Sequence, residues 1–173
     1  MSALAGVVDR LKTSGIPFAL VGASAMAAHG VSRATADIDL MTMDARVLTP
    51  GFWQDASGVD IRRGDHDDPL AGVVRISAPG QPVVDVIVGR HGWQRRLLDS
   101  TSVVHLDGVE LPVLDRPGLI LMKLYSGGPQ DGWDIAQLLA GADDRTLTCV
   151  EEALPDLPPD AVPFWRRIRD ART

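Results

Sequence analysis

The chain has 173 residues, 45% of them hydrophobic and 23% charged, with a formal net charge of −6 and one cysteine. This is the make-up of a soluble globular protein of one domain, or one domain with a small appendage. The charge excludes a uniformly basic nucleic-acid coat, the lone Cys149 excludes an internal disulfide, and no apolar run approaches the roughly 18 residues of a membrane span.

The start, MSALAGVVDRLKTSG, lacks the basic opening and long apolar run of a signal peptide, so a reducing, cytoplasmic setting is expected. Within it Leu4, Val7, Val8 and Leu11 follow helical spacing, which predicts a helix from Ala3 to Thr13. Ser14-Gly15 ends it and Pro17 prevents its continuation. Phe18 to Val21 reads as a buried strand, Gly22 as a turn, and Ser24 to His29 as a short helix stopped by Gly30. Ala36 to Thr42 alternates like a strand. Asp44 is placed to cap a helix running towards Trp53, although Pro50-Gly51 interrupts it. Arg62 to Gly72 reads as a polar loop, and strands at Val73–Ser77 and Val83–Val88 flank the turn Pro79-Gly80.

A short helix over Trp93–Leu98 precedes a hairpin whose arms, Thr101–Leu106 and Val109–Val113, flank Asp107-Gly108. Asp115 opens the helix PGLILMKLYS, Gly127-Gly128-Pro129 breaks it, and a second helix runs from about Pro129 to about Gly141. A further helix covers Arg145–Leu154, and a proline-rich stretch leads to a last one over Phe164–Ala171. Strands fill the first two-thirds and helices the end. The expected fold is α/β (α+β): a mixed sheet flanked by helices, with a core over residues 1–114 and a helical C-terminal part, 115–173, packed on it.

The stretch GASAMAAHGVSRATADIDL, Gly22 to Leu40, carries the chemistry. Side chains alternate along a strand, so Asp37 and Asp39 share a face while Ile38 and Leu40 point into the core. Two such charges repel, and water, a cationic side chain or a metal ion has to offset that. Asp85 sits in the apolar run VVDVIV, where a carboxylate without a partner is costly. Should its strand lie beside the first, three hard oxygen donors converge, a set suited to Mg²⁺ or Mn²⁺. The bland alternative is solvent-exposed or capping aspartates at strand ends. Gly22 followed by a helix start, with the Ser24 hydroxyl close by, offers backbone N–H groups to a phosphate.

Together these residues resemble the signature of the nucleotidyltransferase superfamily that includes DNA polymerase β. That signature is a Gly-Gly or Gly-Ser turn, then acid–apolar–acid on a strand, then a third acid on a later strand. It falls here on Gly22, Ala23, Asp37, Asp39 and Asp85. The fuller string LVGASAMAAHGVSRATADIDL, with Lys123 in LILMKLYS and Asp131 and Asp134 in GGPQDGWDIAQLL, is similar to the AbiEii-type toxins of type IV toxin–antitoxin systems. The resemblance covers roughly Leu20 to Leu139. Two positions depart from it: Ala23 replaces the second glycine, and Thr35 stands for a serine before the first acid.

The resemblance implies transfer of a nucleoside monophosphate from a triphosphate such as ATP to an acceptor, which is an RNA or tRNA end, a protein or a small molecule. Asp37, Asp39 and Asp85 would bind Mg²⁺ or Mn²⁺. Gly22, Ala23 and Ser24 would hold phosphates, with Arg33 and Thr35 as further contacts. Lys123 would reach the triphosphate, or else snorkel from an apolar helix. Asp131 would serve the active site as a partner of Lys123 or Arg33, or cap its helix; Asp134 would support it. A cognate antitoxin is the implied partner. A non-catalytic binding module on the same fold is the competing reading. His29 is expected to be structural, His66 to lie in a solvated loop, and Trp53, Trp93, Trp133 and Trp165 to be core or interface residues. The arginines from Arg166 to Arg172 read either as a solvated helix face or as a local polyanion patch.

Overall fold

A computed structural model describes residues 2–32 and 35–171. Helix α1 (Ala3–Thr13) begins at Ser2, whose hydroxyl accepts from the Ala5 N–H, and it buries Leu4, Val7, Val8 and Leu11. Strand β1 (Phe18–Val21) is buried throughout and passes directly into α2 (Gly22–Ala28). Then follow β2 (Asp37–Thr42), β3 (Val59–Arg63), β4 (Gly72–Ile76), β5 (Val83–Val88) and α3 (Gly92–Leu97). The hairpin β6 (Thr101–Leu106) and β7 (Val109–Leu114) completes the sheet. Its two turn residues, Asp107 and Gly108, both have positive φ, 50° and 77°, the backbone that fits the twist of a two-residue hairpin. Helices α4 (Arg116–Ser126), α5 (Asp131–Ala140), α6 (Asp144–Ala153) and α7 (Ala161–Asp170) close the chain.

The sheet has seven strands in the order β3-β4-β5-β2-β1-β7-β6. The β2/β5 and β1/β7 pairs are parallel and the others antiparallel, so the sheet is mixed as the sequence suggests. One face of its centre is almost wholly apolar, with Thr42 as its buried polar member. Leu20, Ile38, Leu40, Val74, Ile76, Val84, Val86 and Val88 are all buried there, at about 1.5–3 kcal/mol for each large side chain. Helix α1 packs against β5 and β7, α2 against β1 and β2, and α4 against α2, α5, α6 and α7. The helical end is thus joined to the sheet through α2 and α4.

Several local expectations are corrected. Arg62 and Arg63 belong to strand β3, not to a loop. This strand pairs on one side only, and its inward face is just Val59 and Ile61, a short signal beside the charged residues that follow. The segment after Asp44 forms two 3-10 turns, Ala45–Leu48 and Pro50–Trp53, because Pro50 stops the first from continuing. Helix α7 starts at Ala161 and takes Pro163 into its first turn, where a missing N–H costs nothing. Trp53, Trp93 and Trp165 are core residues, but Trp133 is half exposed on α5. In the terminal arginine run, Arg169 pairs with Glu151 at 2.5 Å and lies over the Trp165 ring, and Arg167 lies over Phe164. Among the described residues no helix is long and apolar enough to cross a membrane.

Candidate active site

The parallel pairing of β2 with β5 sets Asp37 beside Val83 and Asp39 beside Asp85. Paired residues share a face, so Asp37, Asp39 and Asp85 project from the same side of the sheet. That face is open here, with all three only partly buried, whereas their apolar neighbours Ile38, Leu40, Val84 and Val86 are closed off behind them.

A residue that the sequence reading missed stands among them. Arg75 on β4 lies directly opposite Asp85 in the antiparallel β4/β5 register. Its Nε donates to Asp85 Oδ1 at 3.1 Å, and its Nη2 donates to Asp85 Oδ2 at 3.1 Å and to Asp37 Oδ2 at 2.7 Å. Side-chain exposure is 44% for Arg75, 39% for Asp37 and 15% for Asp85. Burial raises the pKa of Asp85 above the ordinary carboxylate value, Arg75 opposes that shift, and Asp37 adds to it. The signal for Arg75 was present: in GVVRIS an arginine replaces an apolar residue on one face of a strand, the same anomaly that drew attention to Asp85.

Gly22 explains the other side of Asp39. Its φ of +67° favours glycine, and a Cβ there would meet Asp39 Oδ2 at 2.1 Å. The Asp39 carboxylate therefore rests on the backbone where β1 becomes α2. There is no separate turn between the two elements, contrary to the sequence expectation, because Gly22 makes the bend as the first helical residue. Ala23 is buried and its φ is not positive, so losing the second glycine of the motif costs no strain. Ser24 is half-buried in the first turn of α2. The Thr35 hydroxyl donates to the Asp37 carbonyl at 3.1 Å and accepts from the Asp37 N–H at 3.3 Å, which braces the entry to β2. Arg33 lies outside the described residues.

Lys123, Asp131 and Asp134 form a second charged cluster, between α4 and α5. Lys123 Nζ is 2.8 Å from Asp131 Oδ1 and 2.6 Å from Asp134 Oδ2, with side-chain exposures of 17%, 9% and 0%. The other oxygen of Asp131 accepts from the Gly128 N–H at 2.8 Å, so the break between the helices is fastened to the same carboxylate. Burial pulls the Lys123 pKa down, but its bonds to Asp131 and Asp134 outweigh that and leave it raised. Lys123 thus does not snorkel: it is the buried cation of an inter-helix clamp. Asp134, expected only to support the site, is a full member of that clamp.

The remaining histidines are not part of either cluster. His29 Nε2 bonds the Leu114 carbonyl at 2.8 Å, and His66 sits on an exposed loop beside Asp67. Among the described residues no group of three His, Cys, Asp or Glu side chains is gathered around one point. Asp37 and Asp85 close on Arg75 instead, and Asp39 lies against Gly22. The donor set still fits a hard divalent ion. Its members are carboxylate oxygens in adjacent register on an open face, and two of them already converge on one positively charged nitrogen.

No protein-family profile matches the chain, and no curated protein matches it. Solved structures share its fold. One is an antigenic nucleotidyltransferase-like protein from Paracoccidioides brasiliensis, at a TM-score of 0.50 and 18% identity over 92% of this chain and 88% of that one. Another is a nucleotidyltransferase candidate from Thermotoga maritima, at 0.52 and 16% over 80% and 91%. A third is ANT(2″)-Ia solved with adenylyl-2″-tobramycin, at 0.51 and 13% over 98% and 97%. The fold is therefore that of nucleotidyltransferase-like proteins.

Proposed function

We propose that the protein transfers a nucleoside monophosphate from a nucleoside triphosphate to an acceptor. The observation that carries this reading is the Asp39–Asp85 register, which brings Asp37, Asp39 and Asp85 to one open face beside the Gly22 bend. In the reaction an acceptor oxygen attacks the α-phosphorus, the bond to the bridging oxygen breaks, and pyrophosphate leaves. Asp37, Asp39 and Asp85 would hold Mg²⁺ or Mn²⁺, which supplies charge neutralisation and activation of the attacking oxygen. Asp85 would bind the ion nearer the acceptor and help take the acceptor's proton. Gly22, Ala23 and Ser24 lie beside Asp39, where the β- and γ-phosphates would rest; Arg33 and Thr35 would approach them from the other end of the same segment. Lys123 and Asp131 would act as one unit, the lysine lending charge to the triphosphate and the aspartate fixing it.

The acceptor is an RNA or tRNA end, a protein side chain or a small hydroxyl compound. A toxin role with a cognate antitoxin, as in the AbiEii-type systems, is the biological setting that the sequence resemblance favours. Each α-labelled NTP, incubated with Mg²⁺ and separately with total RNA, lysate protein and a metabolite extract, tests the reading. Label should pass to one acceptor class in the wild type and to none in Asp39→Asn. The competing reading, a non-catalytic module, is favoured if no label moves in any arm while NTP still binds.

A further inference from the structure

Arg75 is placed where a divalent ion would compete with it. Its Nη2 lies 2.7 Å from Asp37 Oδ2 and 3.1 Å from Asp85 Oδ2, and its Nε completes a two-pronged grip on Asp85. A Mg²⁺ ion bonds oxygen at about 2.0–2.1 Å, so an ion shared by the same two oxygens would need the space that Nη2 fills. Arg75 stands directly across from Asp85 on the neighbouring strand. Its side chain is nearly half exposed, which leaves it a path out.

Building on the proposed transferase reading, we infer that Arg75 is the resident counter-cation of the carboxylate face, a positioning residue that holds Asp37 and Asp85 in place and must release Asp37 before a divalent ion can enter. Without Arg75, Asp37 and Asp85 would lose the cation that bridges them. With it, a bare metal ion has to displace charge-assisted hydrogen bonds to bind. A metal ion carrying a triphosphate offers the displaced guanidinium phosphate oxygens in exchange, a geometry that arginine's fork matches. The face is thereby tuned to accept the metal–nucleotide complex in preference to the free ion.

Calorimetric titration with Mn²⁺ alone, and with Mn²⁺ plus a non-hydrolysable NTP, tests this on the wild type, Arg75→Met, Arg75→Gln and Asp85→Asn. Arg75→Met should bind Mn²⁺ alone about tenfold more tightly, the loss of one charge-assisted competitor. It should also lose most of the preference for the metal–nucleotide complex. Its melting temperature without metal should fall, and added Mn²⁺ should raise it by more than in the wild type. Arg75→Gln, which keeps a polar head without charge, should show the same changes and guards against misfolding of the methionine variant. Equal or weaker Mn²⁺ binding by both Arg75 variants, with binding abolished in Asp85→Asn, overturns the role of Arg75 and leaves the metal site standing. Absence of Mn²⁺ binding in every protein overturns the inference and the transferase reading together.

Discussion

The molecule holds two acid–base clusters of similar composition and opposite setting. On the sheet, Arg75 gathers Asp37 and Asp85 at an open surface; between α4 and α5, Lys123 gathers Asp131 and Asp134 in near-complete burial. Solvent decides what each can do. Exposed charges are readily exchanged because water compensates them at every stage, so an ion or a phosphate can replace Arg75. Buried charges cannot separate without leaving a desolvated partner behind, so the Lys123 clamp holds helices together whatever else it does. The same residue types therefore make an exchangeable cluster in one place and a fixed one in the other, and the effects of substitutions on stability should divide along that line.

The largest effect is expected for catalysis on the sheet. Asp39→Asn keeps the shape of the side chain and removes its charge, and transfer of label should fall by more than ~10²-fold. The variant should remain folded, which its melting temperature checks. A well-folded Asp39→Asn protein with full transfer activity would end the metal-site reading.

The converse is expected between the helices. Lys123→Met leaves Asp131 and Asp134 without their cation and should cost about 3–5 kcal/mol of stability. Its burial between Asp131 and Asp134 makes the fold depend on Lys123. The pH dependence gives a separate readout. The folded-state pKa of Lys123 lies above its ordinary 10.5, since burial lowers it less than Asp131 and Asp134 raise it. Its contribution is therefore complete below pH 10.5 and is lost as the pH climbs through the folded-state value. Urea unfolding at neutral and strongly alkaline pH should show a loss of stability in the wild type that is reduced in Lys123→Met. Parallel pH curves for the two proteins would mean the clamp contributes little.

Gly22→Ala joins the two kinds of effect. The left-handed backbone at Gly22 costs an alanine about 1–2 kcal/mol, and the new Cβ collides with the Asp39 carboxylate. Stability should fall by that amount and transfer should fall with it, as Asp39 is pushed off its seat. A variant that loses stability and keeps full activity would show that the position of Asp39 on Gly22 is incidental.

The two clusters were also unequally legible in the sequence. Helical spacing, alternation and turn residues marked α1, β1, β2, β5, the β6–β7 hairpin and α4 closely, because each is decided by short-range pattern. The carboxylates stood out for the same reason: a charge in an apolar strand breaks its own pattern. Strand β3 was missed because its apolar face is only Val59 and Ile61, too short a run to stand out before the charged stretch that follows. Strand order was not legible, since pairing β2 with β5 joins residues more than forty positions apart. Arg75 fell into that gap: its oddity was visible in GVVRIS, but only the register shows which carboxylates it meets. Burial was the other hidden quantity. Lys123 and Asp131 were paired on resemblance, while the depth that makes Asp134 part of the clamp comes from how α4 and α5 pack.

The smallest effect sharpens the comparison most. Arg62 on β3 lies on the same side of the sheet as Arg75: the register pairs Asp60 with Arg75 and Arg62 with Val73, so residues 60, 62, 73 and 75 share a face. It carries the same charge, but it is well exposed and pairs with Asp60 at 3.0 Å. Two strand spacings of about 4.8 Å and two residues of strand rise separate it from Asp85, which puts their backbones roughly 12 Å apart. At that range two unit charges in water interact by about 0.4 kcal/mol before screening, and the Debye length at physiological salt is about 8 Å. Arg62→Ala should therefore change stability by less than about 0.5 kcal/mol and Mn²⁺ affinity by less than about threefold. If cationic charge on the face were all that mattered, Arg62 and Arg75 variants would behave alike at low salt. A large gain in Mn²⁺ affinity for Arg75→Met beside an unaltered Arg62→Ala separates contact from mere charge, because of these two arginines it is Arg75 whose Nη2 is shared between Asp37 and Asp85.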